Sequence, residues 1–167
     1  YTPQKALLFT GDIAENLRYG KFNADDMDLD RATNVAQASE FINRLETKYA
    51  THLDEGGANL SGGQKQRLSI ARSIIANREI YIFDDSFSAL DYKTDAAVRQ
   101  ALKDETQNAT TIIVAQRVSS IIHADQIIVL DEGEVAARGT HKELLKTSEL
   151  YYEIASSQLS EEELNRG

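Results

Sequence analysis

The chain has 167 residues, 41% hydrophobic and 27% charged, enough for one core or for two small lobes sharing a boundary. Its 27 acids against 18 bases give a net charge of -9, which repels polyanions and argues against direct nucleic-acid binding. No cysteine is present, excluding a disulfide framework and thiolate metal sites, and the apolar runs fall far short of the roughly 18 residues that span a bilayer.

The first 50 residues read as helical, with no convincing strand. Asp12 can cap a helix over 13–18, and after the acidic turn at 23–26 further helices are expected over 29–38 and 40–45. From Ser61 a helix runs to about Asn77, with Leu68, Ala71 and Ile75 on one face beside Ile70 and Ile74. That face should be buried.

Beyond Arg78 short apolar strands alternate with helices: strands at 80–83, 111–115 and 126–131, a helix over 92–103 and a short one near Val118. Such alternation argues for a parallel sheet covered by helices. Asp131-Glu132-Gly133-Glu134 reads as a hairpin turn into a strand over 135–138, and Thr140 can cap a helix at His141. The last helix spans 151–159, and the acidic tail 160–167 should fray. There is no initiator methionine, so residues are expected upstream.

The string Leu60-Ser61-Gly62-Gly63-Gln64-Lys65-Gln66-Arg67 opens the long helix. Two adjacent glycines leave backbone N–H groups accessible, Ser61 adds a hydroxyl, and the helix dipole adds positive potential, a combination suited to an anion such as a terminal phosphate. Ile80 to Phe83 is an apolar strand ending in Asp84 and Asp85, an arrangement that places a carboxylate at a sheet edge where it can hold magnesium, directly or through water.

These strings resemble, in collinear order, the motifs of ABC ATPases. Ser61, Gly62, Gly63 and Gln64 match the signature motif, Asp84 the Walker B aspartate, and Ser88 to Asp91 the D-loop. Gln4 after Pro3 looks like the Q-loop glutamine, able to reach magnesium, and Glu55-Gly56-Gly57 resembles the X-loop of exporters. The resemblance implies an α/β fold: a P-loop NTPase, RecA-like ABC core with a helical signature subdomain. Residues 1–77 would carry the Q-loop, helical subdomain and signature, and 78–167 the Walker B, D-loop and switch part of the core. It also implies ATP and Mg2+ as cofactors, a transmembrane domain upstream in the same polypeptide, a second ABC subunit as partner, and a place on the cytoplasmic face of the cell membrane. No Gly-x4-Gly-Lys-Ser/Thr occurs; Gly57 to Gly62 has the spacing, but Gly63 stands where the lysine is required. The family's P-loop lies upstream of the Q-loop, so this segment alone is expected to be inactive.

Two departures narrow the expectation. Where the family has a catalytic glutamate after the Walker B aspartate, this chain has Asp85, one methylene shorter; where it has the switch histidine, this chain has Gln116. A misplacement of about 1 Å costs on the order of 100-fold in rate, and glutamine can neither carry positive charge nor shuttle a proton as imidazole does. Both changes weaken hydrolysis beside an intact signature, as in the degenerate half of a heterodimeric exporter of drugs or lipid-like molecules. A homodimeric exporter with two slow sites and a non-transport ABC ATPase are the alternatives. His52, His123 and His141 lack metal-ligand spacing and read as surface or structural residues.

Overall fold

The computed structural model describes residues 1–164 and divides into two compact units, residues 1–114 and the described residues from 115 onward. Each is built around its own apolar cluster.

In the first unit, α1 (Ile13–Arg18) is capped by Asp12, which accepts the Glu15 N–H while the Glu15 carboxylate accepts the Asp12 N–H. The same reciprocal box, Asp25 with Asp28, starts α2 (Asp26–Val35), three residues earlier than the apolar pattern suggests. α3 (Ser39–Arg44) follows, and α4 (Gly62–Ile75) buries Leu68, Ile70, Ala71, Ile74 and Ile75 completely, as its periodicity predicts. α2 packs on α4, and Ala32 of the one and Ala71 of the other are both fully buried.

Contrary to expectation, the N-terminal part is not free of strands. β1 (Gly11–Asp12) pairs antiparallel with β2 (His52–Leu53), and Thr2 forms a parallel bridge to Phe83. Two-residue strands carry no readable alternation. β3 (Ile80–Asp84) pairs in parallel with β4 (Thr110–Val114), joined through α5 (Tyr92–Glu105) as the alternation requires. An ion pair between Arg31 and Glu105 ties α2 to the end of α5.

In the second unit a 3-10 turn over Val118–Ser120 leads to the hairpin β5 (Ile127–Asp131) and β6 (Glu134–Gly139), antiparallel and bulged at Val129/Leu130. Glu132 and Gly133 both take positive φ, 47° and 86°, as a tight two-residue hairpin turn demands. Among the described residues β5 pairs with β6 alone, so the parallel pairing expected from the alternation is realised only between β3 and β4. Thr140 caps α6 (His141–Thr147), and α7 (Glu149–Gln158) lays Tyr151 and Ala155 onto Val118, Val129 and Leu144. The tail is not wholly frayed: α8 (Glu161–Leu164) forms one turn, and the rest of the expected frayed segment lies outside the described residues. No described helix is long and apolar enough to cross a membrane.

The compact division falls at Val114/Ala115, and the Thr2 bridge and the β3–β4 ladder lie wholly within the first unit.

Candidate functional site

At the start of α4, Ser61 is the N-cap. Its Oγ accepts the Gln64 N–H at 3.3 Å and its own N–H donates to Gln64 Oε1 at 2.9 Å. Both capping requirements are met within four residues, the first turn holds no acid, and Ser61 and Gly62 are exposed. A helix N-terminus of this kind presents amide donors to an incoming anion. Gly63 is fixed by space: a Cβ there would stand 3.2 Å from the Ala89 carbonyl oxygen, so the segment before Asp91 packs against the glycine. Arg67 braces the turn from below, donating to the Gly63 and Gln37 carbonyls and lying 4.9 Å over the Phe41 ring; burial lowers its pKa.

The end of β3 is organised differently. Asp84 Oδ2 accepts from the Tyr1 hydroxyl at 2.8 Å, and this bond raises the phenol's pKa. Asp85 Oδ2 accepts from Gln4 Nε2 at 3.0 Å. The strand pairing that makes these contacts possible runs through Thr2, whose N–H donates to the Ile82 carbonyl and whose carbonyl accepts from the Asp84 N–H and from the buried Ser86 Oγ. Asp85 N–H donates to the Val114 carbonyl at 2.8 Å while its φ is 45°, a left-handed backbone that aspartate tolerates better than most residues. Gln4, Asp84 and Asp85 are thus brought together from opposite ends of the first unit. Its signature helix is tied to the same corner by buried Gln66, whose amide donates to the Gln4 carbonyl at 3.2 Å.

Asp91 caps α5. Its carboxylate accepts the Thr94 N–H at 3.0 Å and the Thr94 hydroxyl at 2.6 Å; the hydroxyl bond, followed by the amide, holds it below the usual carboxylate range. Glu55 to Gly57 forms a 3-10 turn with positive φ at both glycines. In the second unit, exposed Gln116 lies between β4 and the 3-10 turn, with its carbonyl accepting from Gln158 Nε2 at 3.1 Å.

Among the described residues no group of three or more His, Cys, Asp or Glu side chains is arranged to hold a metal. Magnesium does not require one: it binds through one or two carboxylates and fills its shell with water and phosphate oxygens, so half-buried Asp84 at a strand end fits. Of the histidines, His52 and His123 are exposed; His141 is buried and structural, its ring nitrogens bonded to the Tyr151 hydroxyl and the Leu164 carbonyl. Tyr1, Gln66 and Gln158 are contributors that sequence reasoning missed. Gln66 stood beside the signature; the other two carry no local signal.

A glycine-rich helix start and a parallel strand ending in paired carboxylates beside a glutamine make up one α/β unit. Comparison agrees. The family model described as ABC transporter matches residues 1–88. The chain is 46% identical over 162 residues to YfiB of Bacillus subtilis, described as an uncharacterized ABC transporter ATP-binding protein, covering 97% of this chain and 28% of that one. It is 44% identical to the probable multidrug resistance ABC transporter ATP-binding/permease protein YheI of the same organism, over 92% of this chain and 26% of that one. A bacterial Atm1-family ABC exporter solved with ATP bound superposes with a TM-score of 0.90 at 38% identity, over 96% of this chain and 28% of that structure's. The chain therefore belongs to the ABC transporter family, has the fold of the exporter ATPase, and spans about a quarter of the length of these relatives.

Proposed function

We propose that this chain is the C-terminal part of the nucleotide-binding domain of an ABC exporter, on the cytoplasmic face of a membrane, and that it forms the degenerate half of a heterodimer. The observation that carries the second half of the reading is the pairing of Asp85 with Gln116 beside an intact signature.

The signature acts on the ATP held by the second subunit. The Ser61 hydroxyl, the N–H groups of Gly62 and Gly63, and the NH2 of Gln64 are the donors; because the Gln64 oxygen is already held by the Ser61 N–H, the amide is oriented before the phosphate arrives. Asp91, whose carboxylate caps α5, belongs with the nucleotide-binding residues as the end of the D-loop.

This chain's own carboxylates do less. Asp84, with Gln4, would hold magnesium, which when bound neutralises charge on the nucleotide phosphates. Asp85 is short by one methylene for polarising water, and one of its oxygens already accepts from Gln4. Gln116 offers a neutral NH2 in place of an imidazole, which supports retention of a phosphate better than turnover. In the family the P-loop and the adenine contact lie upstream of the Q-loop, so this stretch alone is expected to bind ATP poorly or not at all and to be inactive. The exported substrate, drug or lipid-like, is selected by the transmembrane part.

The test is ATPase activity of the full-length protein co-expressed with its partner. Ser61→Ala is expected to abolish turnover and Asp85→Ala to change it little. Loss of turnover in both would make Asp85 a working catalytic residue and end the heterodimer reading in favour of two equivalent sites.

A further inference from the structure

We infer that Gln158 is a positioning residue for the switch segment, clamping the backbone on both sides of Arg117 and so setting how Gln116 is presented. The inference rests on the reading of Gln116 as the residue that senses the terminal phosphate.

Gln158 closes α7, and its carboxamide makes two bonds to one short stretch of main chain. Oε1 accepts the Val118 N–H at 2.9 Å, and Nε2 donates to the Gln116 carbonyl at 3.1 Å. Arg117 between them is extended, with φ -98° and ψ 119°. In an extended residue the preceding carbonyl and the following N–H point to the same side, as along a strand edge. The carboxamide therefore acts as a one-residue strand partner, and both bonds can form together only while Arg117 keeps this conformation.

The base of the clamp is rigid. Ala155 and Leu159, flanking Gln158 on the chain, are buried in the second core with Val118. Gln158 itself is exposed and adds nothing to that core. Its bonds fall on the main chain carrying Gln116, at the point where β4 ends and the 3-10 turn has not begun. An exposed side chain spent on two backbone groups of one loop is placed to hold that loop's direction.

The experiment uses the full-length protein with its partner in nanodiscs, labelled with radioactive 8-azido-ATP, chased with unlabelled ATP and photolysed at intervals. Retention of label on the polypeptide containing this chain is compared for wild type, Gln158→Leu, Gln158→Glu, Gln116→Ala and the Gln158→Leu/Gln116→Ala pair. Loss of two net hydrogen bonds corresponds to roughly five- to hundredfold faster release in Gln158→Leu. Gln158→Glu, which keeps the acceptor for Val118 but sets oxygen against the Gln116 carbonyl, should fall between it and wild type. The pair should release no faster than Gln116→Ala alone, because the clamp acts only through Gln116. Hydrogen exchange should show the Val118 amide deprotected in Gln158→Leu and protected in Gln158→Glu.

If Gln116→Ala speeds release and Gln158→Leu does not, the clamp is wrong and the reading of Gln116 stands. Multiplied effects in the pair would make Gln158 an independent structural residue and overturn the inference. A silent Gln116→Ala would remove the reading of Gln116 and the clamp with it.

Discussion

The signature corner and the acidic corner of the first unit reach comparable order by opposite routes. At Ser61 the two capping bonds join residues three apart, whereas at Asp84 and Asp85 the side-chain bonds come from Tyr1 and Gln4, 83 and 81 residues away. The cap at Ser61 is closed by its own few residues. The acidic corner draws its side-chain partners from the N-terminal segment that lies along β3.

The largest expected effect breaks the acidic side of this contrast. Phe83, next to Asp84 in β3, is fully buried between Tyr81 and Phe87, and Phe83→Ala should cost about 3–5 kcal/mol in urea unfolding of the complete nucleotide-binding domain. Ser61→Asp sharpens the other side. Aspartate caps as well as serine, so stability should hold within about 0.5 kcal/mol. A carboxylate facing the incoming phosphate should nevertheless lower the assembly's turnover by roughly 100-fold, a loss comparable to removing a preorganised donor. Ser61→Ala should cost about 1 kcal/mol of stability in the same unfolding experiment, through loss of the cap.

The smallest effect lies away from both corners. Burial, opposed by the Thr33 hydrogen bond and reinforced by Asp30, pushes the Tyr49 phenol up from 10.0 to about 12. The neutral phenol is thus favoured in the folded chain, so its contribution is complete below pH 10 and is lost as pH rises toward 12. Tyr49→Phe should flatten the decline of melting temperature across that window while leaving the signature and the carboxylates as they were.

The contrast also marks how far sequence reading reached. The caps at Asp12, Ser61 and Thr140, the buried face of α4, the β3 strand and the hairpin turn at Glu132-Gly133 are short-range features, written in residues a few positions apart. The start of α2 was placed late because the apolar pattern begins at Leu29, whereas Asp25 and Asp28 cap the helix earlier with polar side chains alone. Nothing in the string Tyr1-Thr2-Pro3-Gln4 reveals that it lies along a strand 80 residues further on; that follows from tertiary packing. The left-handed backbone at Asp85 was likewise hidden, because it arises from the Asp85 N–H reaching Val114 on the neighbouring strand.

The Thr2 bridge to Phe83 also sets a timetable for the ribosome. The β5–β6 hairpin joins strands two residues apart and can close within moments of leaving the exit tunnel, whereas Thr2 must wait until β3 has been made. During that interval Leu8, Ile13 and Leu17, all buried in the finished unit, are exposed on a nascent chain. Chaperone occupancy on this region should therefore peak after Leu17 emerges and decline once α4, on which α1 packs, has been made.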